Sequence, residues 1–274
     1  MNRSYGIGDL QRLMERLRDP EYGCPWDLKQ TYQSIAPFTL EECLELIDAL
    51  EQFDYEHVEE ELGDLLFQVI FYAQLGKEDG RFDFDSVVSG ITEKLIRRHP
   101  HVFKDGQLEG VIRDRASMAS IKANWENEKA KERAGRLQTS VMDDVPVTLS
   151  SLSRAQKLQK RAATVGFDFS SVDDVSSRLL SEYRELEQSV ASGDQNEIEN
   201  ELGDVLFTVV NLARHLKIDS EAALRKANRR FESRIRSAES DALSEGSSLA
   251  EESTKRLDER WQKAKLSENN KHGL

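Results

Sequence analysis

Glu61-Leu62-Gly63-Asp64-Leu65-Leu66-Phe67 returns 140 residues later as Glu201-Leu202-Gly203-Asp204-Val205-Leu206-Phe207. A run repeated at one offset marks an internal duplication, and a duplication sets the frame for everything else in a sequence. Working outward, the same offset pairs Glu42 with Glu182, Glu45 with Glu185, Val69 with Val209 and Ala73 with Ala213. Upstream, Trp26-Asp27 pairs with Phe167-Asp168 at an offset of 141. Downstream, Lys94, Arg97 and Arg98 pair with Lys226, Arg229 and Arg230 at 132, which asks for eight extra residues in the first copy around Gly80 to Val87. Trp125 and Lys129 pair with Trp261 and Lys265 at 136. The series predicts two tandem modules, 1–130 and 146–274, joined by a polar linker over 131–145.

The modules read as helical. Leu40, Cys43, Leu44, Ile47 and Leu50 keep a three-or-four spacing, and so do Val58, Leu62, Leu65, Leu66, Val69 and Ile70. The second copy repeats both stripes, with Leu179, Leu180, Tyr183, Leu186 and Val190, then Ile198, Leu202, Val205, Leu206, Val209 and Val210. Strand-like alternation is nearly absent. Gly23, Pro25, Pro37, Pro100, Gly166 and Gly193 fall between stripes as punctuation. The expected fold is all-α: two helical bundles of about four or five helices, each around a central antiparallel pair. Thr39-x-x-Glu42 reads as a capping box that starts a helix. Gly63 and Gly203 cost their helices roughly 1 kcal/mol against Ala, which predicts a close helix approach beside them.

The composition narrows the function. With 51 acidic against 38 basic residues, the net charge of −13 argues against a general nucleic-acid binder, whose affinity comes from neutralising phosphates. It leaves room for a phosphorylated small molecule if cations screen the carboxylates. No apolar run approaches the roughly 20 residues that span a bilayer, and no signal-peptide core is evident at the start, so no membrane association is expected. The two cysteines, Cys24 and Cys43, form no CxxC. They read as small packed side chains in a reducing, cytoplasmic setting.

The chemistry resides in Glu42-x-x-Glu45 with Glu61-x-x-Asp64, and in Glu182-x-x-Glu185 with Glu201-x-x-Asp204. Residues i and i+3 share a helix face, so an antiparallel pair brings four carboxylates together. Such a set repels itself unless cations intervene, and all-oxygen ligands suit Mg²⁺ or Mn²⁺. A di-iron bundle would need Glu-x-x-His, which is absent. A lone ExxE in so acidic a chain is usually a solvated face; its duplication beside core positions argues for a site. Lys226, Arg230 and Arg234 recur every fourth residue, a stripe suited to phosphate oxygens or to pairing with Glu221 and Glu232. In the first copy Lys94 and Arg98 remain, Pro100 ends the helix, and Val102 stands where Arg234 does. Trp125 and Trp261 are candidates to stack on a base or ribose, with core packing an equal alternative. His99-Pro100-His101-Val102-Phe103 reads as a structural turn.

These residues together resemble a MazG-type nucleoside triphosphate pyrophosphohydrolase of the two-copy form. The resemblance rests on Cys24-Pro25-Trp26-Asp27, on Glu41, Glu42 and Glu45 with Glu61-Leu62-Gly63-Asp64-Leu65-Leu66-Phe67, and on Arg97-Arg98-His99-Pro100-His101-Val102-Phe103. Arg154-Ala155-Gln156-Lys157, Val165-Gly166-Phe167-Asp168 and Asn211-Leu212-Ala213-Arg214-His215 extend it over nearly the whole length. The second copy departs from the EExxE signature only at Ser181. The resemblance implies an all-α fold, Mg²⁺ dependence, a homodimer, and cleavage of nucleoside triphosphates to a monophosphate and pyrophosphate. Catalysis is expected in the second copy, with Glu182, Glu185, Glu201 and Asp204 as catalytic metal ligands and Lys226, Arg230, Arg234 and Trp261 on the substrate. Glu42, Glu45, Glu61 and Asp64 form the corresponding metal set of the first copy. The alternative is a nucleotide- and metal-sensing regulatory protein without turnover.

Overall fold

The structure is a computed structural model, which describes residues 4–109, 117–121, 124–125, 128 and 140–271. Among them every regular element is helical, and no helix is long and apolar enough to cross a membrane. The chain divides into two compact units, Met1–Glu132 and Arg133–Leu274. Most of the segment expected as a linker lies outside the described residues.

The first unit comprises α1 (Ile7–Leu17), α2 (Tyr32–Gln52), α3 (Tyr55–Glu78) and α4 (Phe84–Arg98). Only Phe53 and Asp54 separate α2 from α3. Phe53 takes the left-handed conformation (φ 59°), and the Asp54 carboxylate accepts from the His57 N–H as the next N-cap. So short a connection makes α2 and α3 an antiparallel hairpin. The register agrees, because Thr39 meets Gln68 and Tyr72 while Glu45 meets Glu61 nearer the turn. Met14, Ile35, Ile70, Phe71 and Leu75 form the core, with Phe67, Tyr72 and Phe84 against it. Phe71 is 1% exposed, and such burial of a phenylalanine stabilises by roughly 1.5–3 kcal/mol.

Two expectations fail in this unit. Helix α2 is capped by Thr31, whose hydroxyl accepts from the Ser34 N–H, and Pro37 lies inside the helix instead of between elements. Thr39 is therefore no cap: its hydroxyl bonds the Ile35 carbonyl at 3.2 Å, and Glu42 is left to the acidic cluster. Nor do the glycines mark a tight contact within either module. A Cβ at Gly63 or Gly203 would meet nothing within 4 Å.

The second unit comprises α5 (Ser151–Ala163), α6 (Val172–Ser192), α7 (Gln195–His215), α8 (Ser220–Ser244) and α9 (Thr254–Lys271). Gly193 (φ 79°) closes α6 where Phe53 closes α2, and Asp194 caps α7. Helix α9 returns against α8. Its buried Arg260 bonds Glu252 at 2.7 Å and Glu245 at 2.9 Å, so that a desolvated guanidinium is paired.

The duplication aligns differently from the sequence reading in the later helices. Asp83 caps α4 and Asp219 caps α8, an offset of 136. The same offset relates the stacked pairs Arg98 on Trp125 and Arg234 on Trp261. The first copy thus carries four extra residues, not eight, and Arg98 is the counterpart of Arg234. Gly90 stands opposite Lys226, so the first copy lacks the first cation of the stripe instead of the third. Helix α4 ends at Arg98, before Pro100, whereas α8 continues to Ser244.

Candidate active site

The helix hairpins bring carboxylates together in both copies. In the first, oxygens of Glu42, Glu45 and Glu61 lie within 4.8 Å of one another; in the second, those of Glu182, Glu201 and Asp204 do. Asp64 stands outside the first trio, yet its charge helps raise the pKa of Glu42, after burial, and that of Glu61. Glu201 is likewise raised, by burial first and then by Glu185, Asp204 and Glu182. Burial and neighbouring negative charge thus both disfavour the ionised form of Glu42, Glu61 and Glu201, a cost that a cation would relieve.

Glu185 is turned aside. Its Oε1 accepts from the Ser181 hydroxyl at 2.9 Å and lies 3.6 Å from Arg178. Arg178 Nε also lies 2.6 Å from Glu182 Oε1. Glu182 is only 5% exposed, and its second oxygen is buried with no hydrogen-bond partner. A buried carboxylate oxygen left unpaired is costly, and a cation between Glu182, Glu201 and Asp204 would satisfy it. The donor set is all oxygen, which fits Mg²⁺ or Mn²⁺. Arg178 was missed by the sequence reading. Its signal is the i, i+4 spacing to Glu182, and the first copy has Phe38 at that place.

Lys226, Arg230 and Arg234 lie on α8, which packs against α7. The Arg234 guanidinium sits 5.4 Å from the Trp261 ring centre, and Phe231 packs on the same indole at 5.4 Å. These contacts seat Trp261 between α8 and α9, with the side chain still partly exposed. His99 stacks near Trp125 at 5.6 Å, and its Nδ1 is 2.6 Å from the Leu95 carbonyl, a helix-end role consistent with a structural turn. Cys24 and Cys43 are free thiols, each half-buried.

Glu182 and Arg178 also line a cavity of about 480 Å³ in the second unit. One wall is an ion network that the sequence reading did not single out as a site. Arg214 donates to both Asp168 oxygens, at 3.0 Å for Oδ2, and His215 Nε2 lies 3.0 Å from Oδ1. These partners, Arg214 first, hold the Asp168 carboxyl down at about 2. A depressed carboxyl stabilises the fold above its ordinary pKa of 3.8 and loses that contribution as pH falls towards 2. Asp168→Asn is accordingly expected to lower the urea midpoint at pH 6. Its deficit against the parent protein should shrink between pH 4 and pH 2. A deficit independent of pH would show that charge is not the cause.

The MazG nucleotide pyrophosphohydrolase domain profile matches this chain twice, at residues 30–103 and 170–237. The chain belongs to the MazG family. It is 46% identical over 96% of its length to a nucleoside triphosphate pyrophosphohydrolase of Escherichia coli K12, of which it covers 98%. It is 41% identical to the nucleoside triphosphate pyrophosphohydrolase/pyrophosphatase MazG of Thermotoga maritima, over 94% of each chain. It also matches the protein YabN of Bacillus subtilis at 42% identity, over 93% of this chain and 51% of the other. All eight carboxylates fall inside the two MazG segments, as do Lys226, Arg230 and Arg234. Gln159, Phe167 and Asp168, which line the cavity, lie outside both MazG segments.

Proposed function

We infer that this MazG protein is a hydrolase that cleaves nucleoside triphosphates to the monophosphate and pyrophosphate, with Mg²⁺ or Mn²⁺ held in its second copy. The observation that carries the reading is the unpaired, buried oxygen of Glu182, a member of the carboxylate cluster that also lines a cavity. Glu182, Glu201 and Asp204 would hold the cation, and Glu185 joins them once it releases Ser181. When bound, the cation supplies charge neutralisation for the triphosphate and acidity for an attacking water.

The chain's own groups do the remainder. Arg178 neutralises Glu182 before a cation arrives. Lys226, Arg230 and Arg234 grip phosphate oxygens by charge-assisted hydrogen bonds, which strengthen as the pyrophosphate departs with added charge. Trp261 acts by positioning Arg234 through their stacking.

A second role is favoured for the first copy. There Phe38 replaces Arg178, Gly90 replaces Lys226, and Phe71 fills the core at the position of Asn211 in the second copy. The first copy binds a cation without turnover. Both copies leave leucines exposed beside a glycine, Leu62 and Leu66 in one and Leu202 and Leu206 in the other. An apolar stripe beside a position without a Cβ supports a homodimer built on these faces.

Product analysis tests the hydrolase reading. ATP with Mg²⁺ should give AMP and pyrophosphate in equal amounts, and excess EDTA should stop the reaction. Orthophosphate released in step with ATP loss, or full turnover in chelator, would sink it.

A further inference from the structure

We propose that Ser181 is a positioning residue of the second-copy cation site, holding Glu185 outside the carboxylate trio until an incoming divalent cation takes it. The proposal rests on the hydrolase reading and adds how cation loading of that site is regulated.

Ser181 and Glu185 stand four residues apart on α6, so they share a helix face. The Ser181 hydroxyl donates to Glu185 Oε1 at 2.9 Å, and the same oxygen lies 3.6 Å from Arg178 Nη1. Arg178 is itself held by Glu182, whose Oε1 is 2.6 Å from its Nε. Glu185 is thereby drawn along its own helix. The oxygens that converge within 4.8 Å belong to Glu182, Glu201 and Asp204, and Glu185 supplies none of them. It remains near: after burial, its charge is the foremost influence raising the Glu201 carboxyl. Its side chain is 42% accessible, so packing does not lock it in place.

The first copy supplies the comparison. Glu45 is the counterpart of Glu185, and its oxygen does converge with those of Glu42 and Glu61 within the same 4.8 Å. Glu41 stands at the place of Ser181, and Phe38 at the place of Arg178. An ionised carboxylate only accepts and repels Glu45, and a phenyl ring has no polar donor. Two copies with the same four carboxylates therefore differ in where the second glutamate lies, and they differ in the two side chains that reach for it. A cation that draws Glu185 in must break its hydrogen bond to Ser181 and loosen it from Arg178. Binding by three carboxylates comes first, and the fourth joins against this restraint. The second copy is thus tuned to hold its cation less tightly than four free carboxylates would, which suits a cation that arrives and leaves with a polyphosphate.

The test uses Mn²⁺ alone as the probe, followed by loss of the free ion's EPR signal. The whole chain carries Glu61→Ala throughout, so that the first-copy cluster contributes little. Ser181→Ala should tighten Mn²⁺ binding about threefold to tenfold, the net worth of one hydrogen bond in water. In a Glu185→Ala background the same change should alter affinity by less than about twofold, because the effect runs through Glu185. Alanine favours the helix at this half-buried position, and circular dichroism checks the fold. Ser181→Cys, a weaker donor of similar size, decides if Ser181→Ala is misfolded. Unchanged or weaker binding in the folded variant overturns the proposal and leaves the hydrolase reading intact, and so does a gain that persists without Glu185. If the Glu61→Ala protein binds no Mn²⁺, the cation site of the hydrolase reading and this device fall together.

Discussion

Asp204→Ala should lower kcat/KM for nucleoside triphosphates by roughly a hundredfold or more, while Asp64→Ala leaves most of the activity. Both aspartates are exposed on equivalent turns of α7 and α3, so neither change threatens the core. Each removes one charged contact, which costs on the order of 1.5–3 kcal/mol when it acts on a charged partner. That is about tenfold to a hundredfold in rate for one contact in the transition state, and loss of a cation ligand also weakens every interaction routed through the cation. The asymmetry between copies comes from what surrounds the carboxylates. The second copy combines Arg178, Lys226 and a cavity with its cluster; the first has Phe38 and Gly90 at the corresponding places and Phe71 packed in its core. Steady-state kinetics on both folded variants decides it. Activity lost in Asp64→Ala and kept in Asp204→Ala would assign catalysis to the first copy.

Arg178→Ala should destabilise the metal-free protein and make its stability depend more strongly on Mg²⁺. Glu182 is buried, and removing the cation beside it leaves a desolvated charge with no compensation. Breaking a fully buried pair costs about 3–5 kcal/mol. Arg178 is itself half-exposed, with its side chain 47% accessible, so solvent screening reduces the expected loss to about 1–2 kcal/mol. For a unit of this size that is a fall in Tm of about 3–6 °C. Added Mg²⁺ satisfies Glu182 in place of the guanidinium, so the gain in Tm on adding it should exceed that of the parent protein. A drop that Mg²⁺ does not narrow would show that Arg178 acts through packing alone.

Much of this protein was legible in its sequence, because two signals there are local. The helical period of Leu, Ile and Val reports which face of each helix meets its partner, whatever the partner is. A seven-residue run repeated at one offset reports duplication without reference to space. From these came the all-α class and the eight carboxylates, and the MazG resemblance was confirmed by the family profile. Capping was less legible. Thr39-x-x-Glu42 has the spacing of a helix start, but Thr31 and Ser34 form the actual cap, and Pro37 is carried within the helix. Pattern alone does not rank two competing caps.

What the sequence by itself determined is the helical class, the two copies and the residue types at each carboxylate position, since all three depend on order and period along the chain. Only the tertiary structure decided how those residues combine. The offset between α4 and α8 became 136 when the Asp83 and Asp219 caps and the Arg–Trp stacks were seen in space, because a loop insertion leaves no periodic trace. Trp261 proved to be packed on Phe231 and Arg234, and Gly63 and Gly203 proved to face open space. Arg178 on Glu182, and the unpaired oxygens of Glu182 and Gln159, became visible for the same reason. Burial and hydrogen-bond satisfaction belong to a side chain's three-dimensional neighbours, and residues from α5, α6 and α7 become neighbours only when those helices pack.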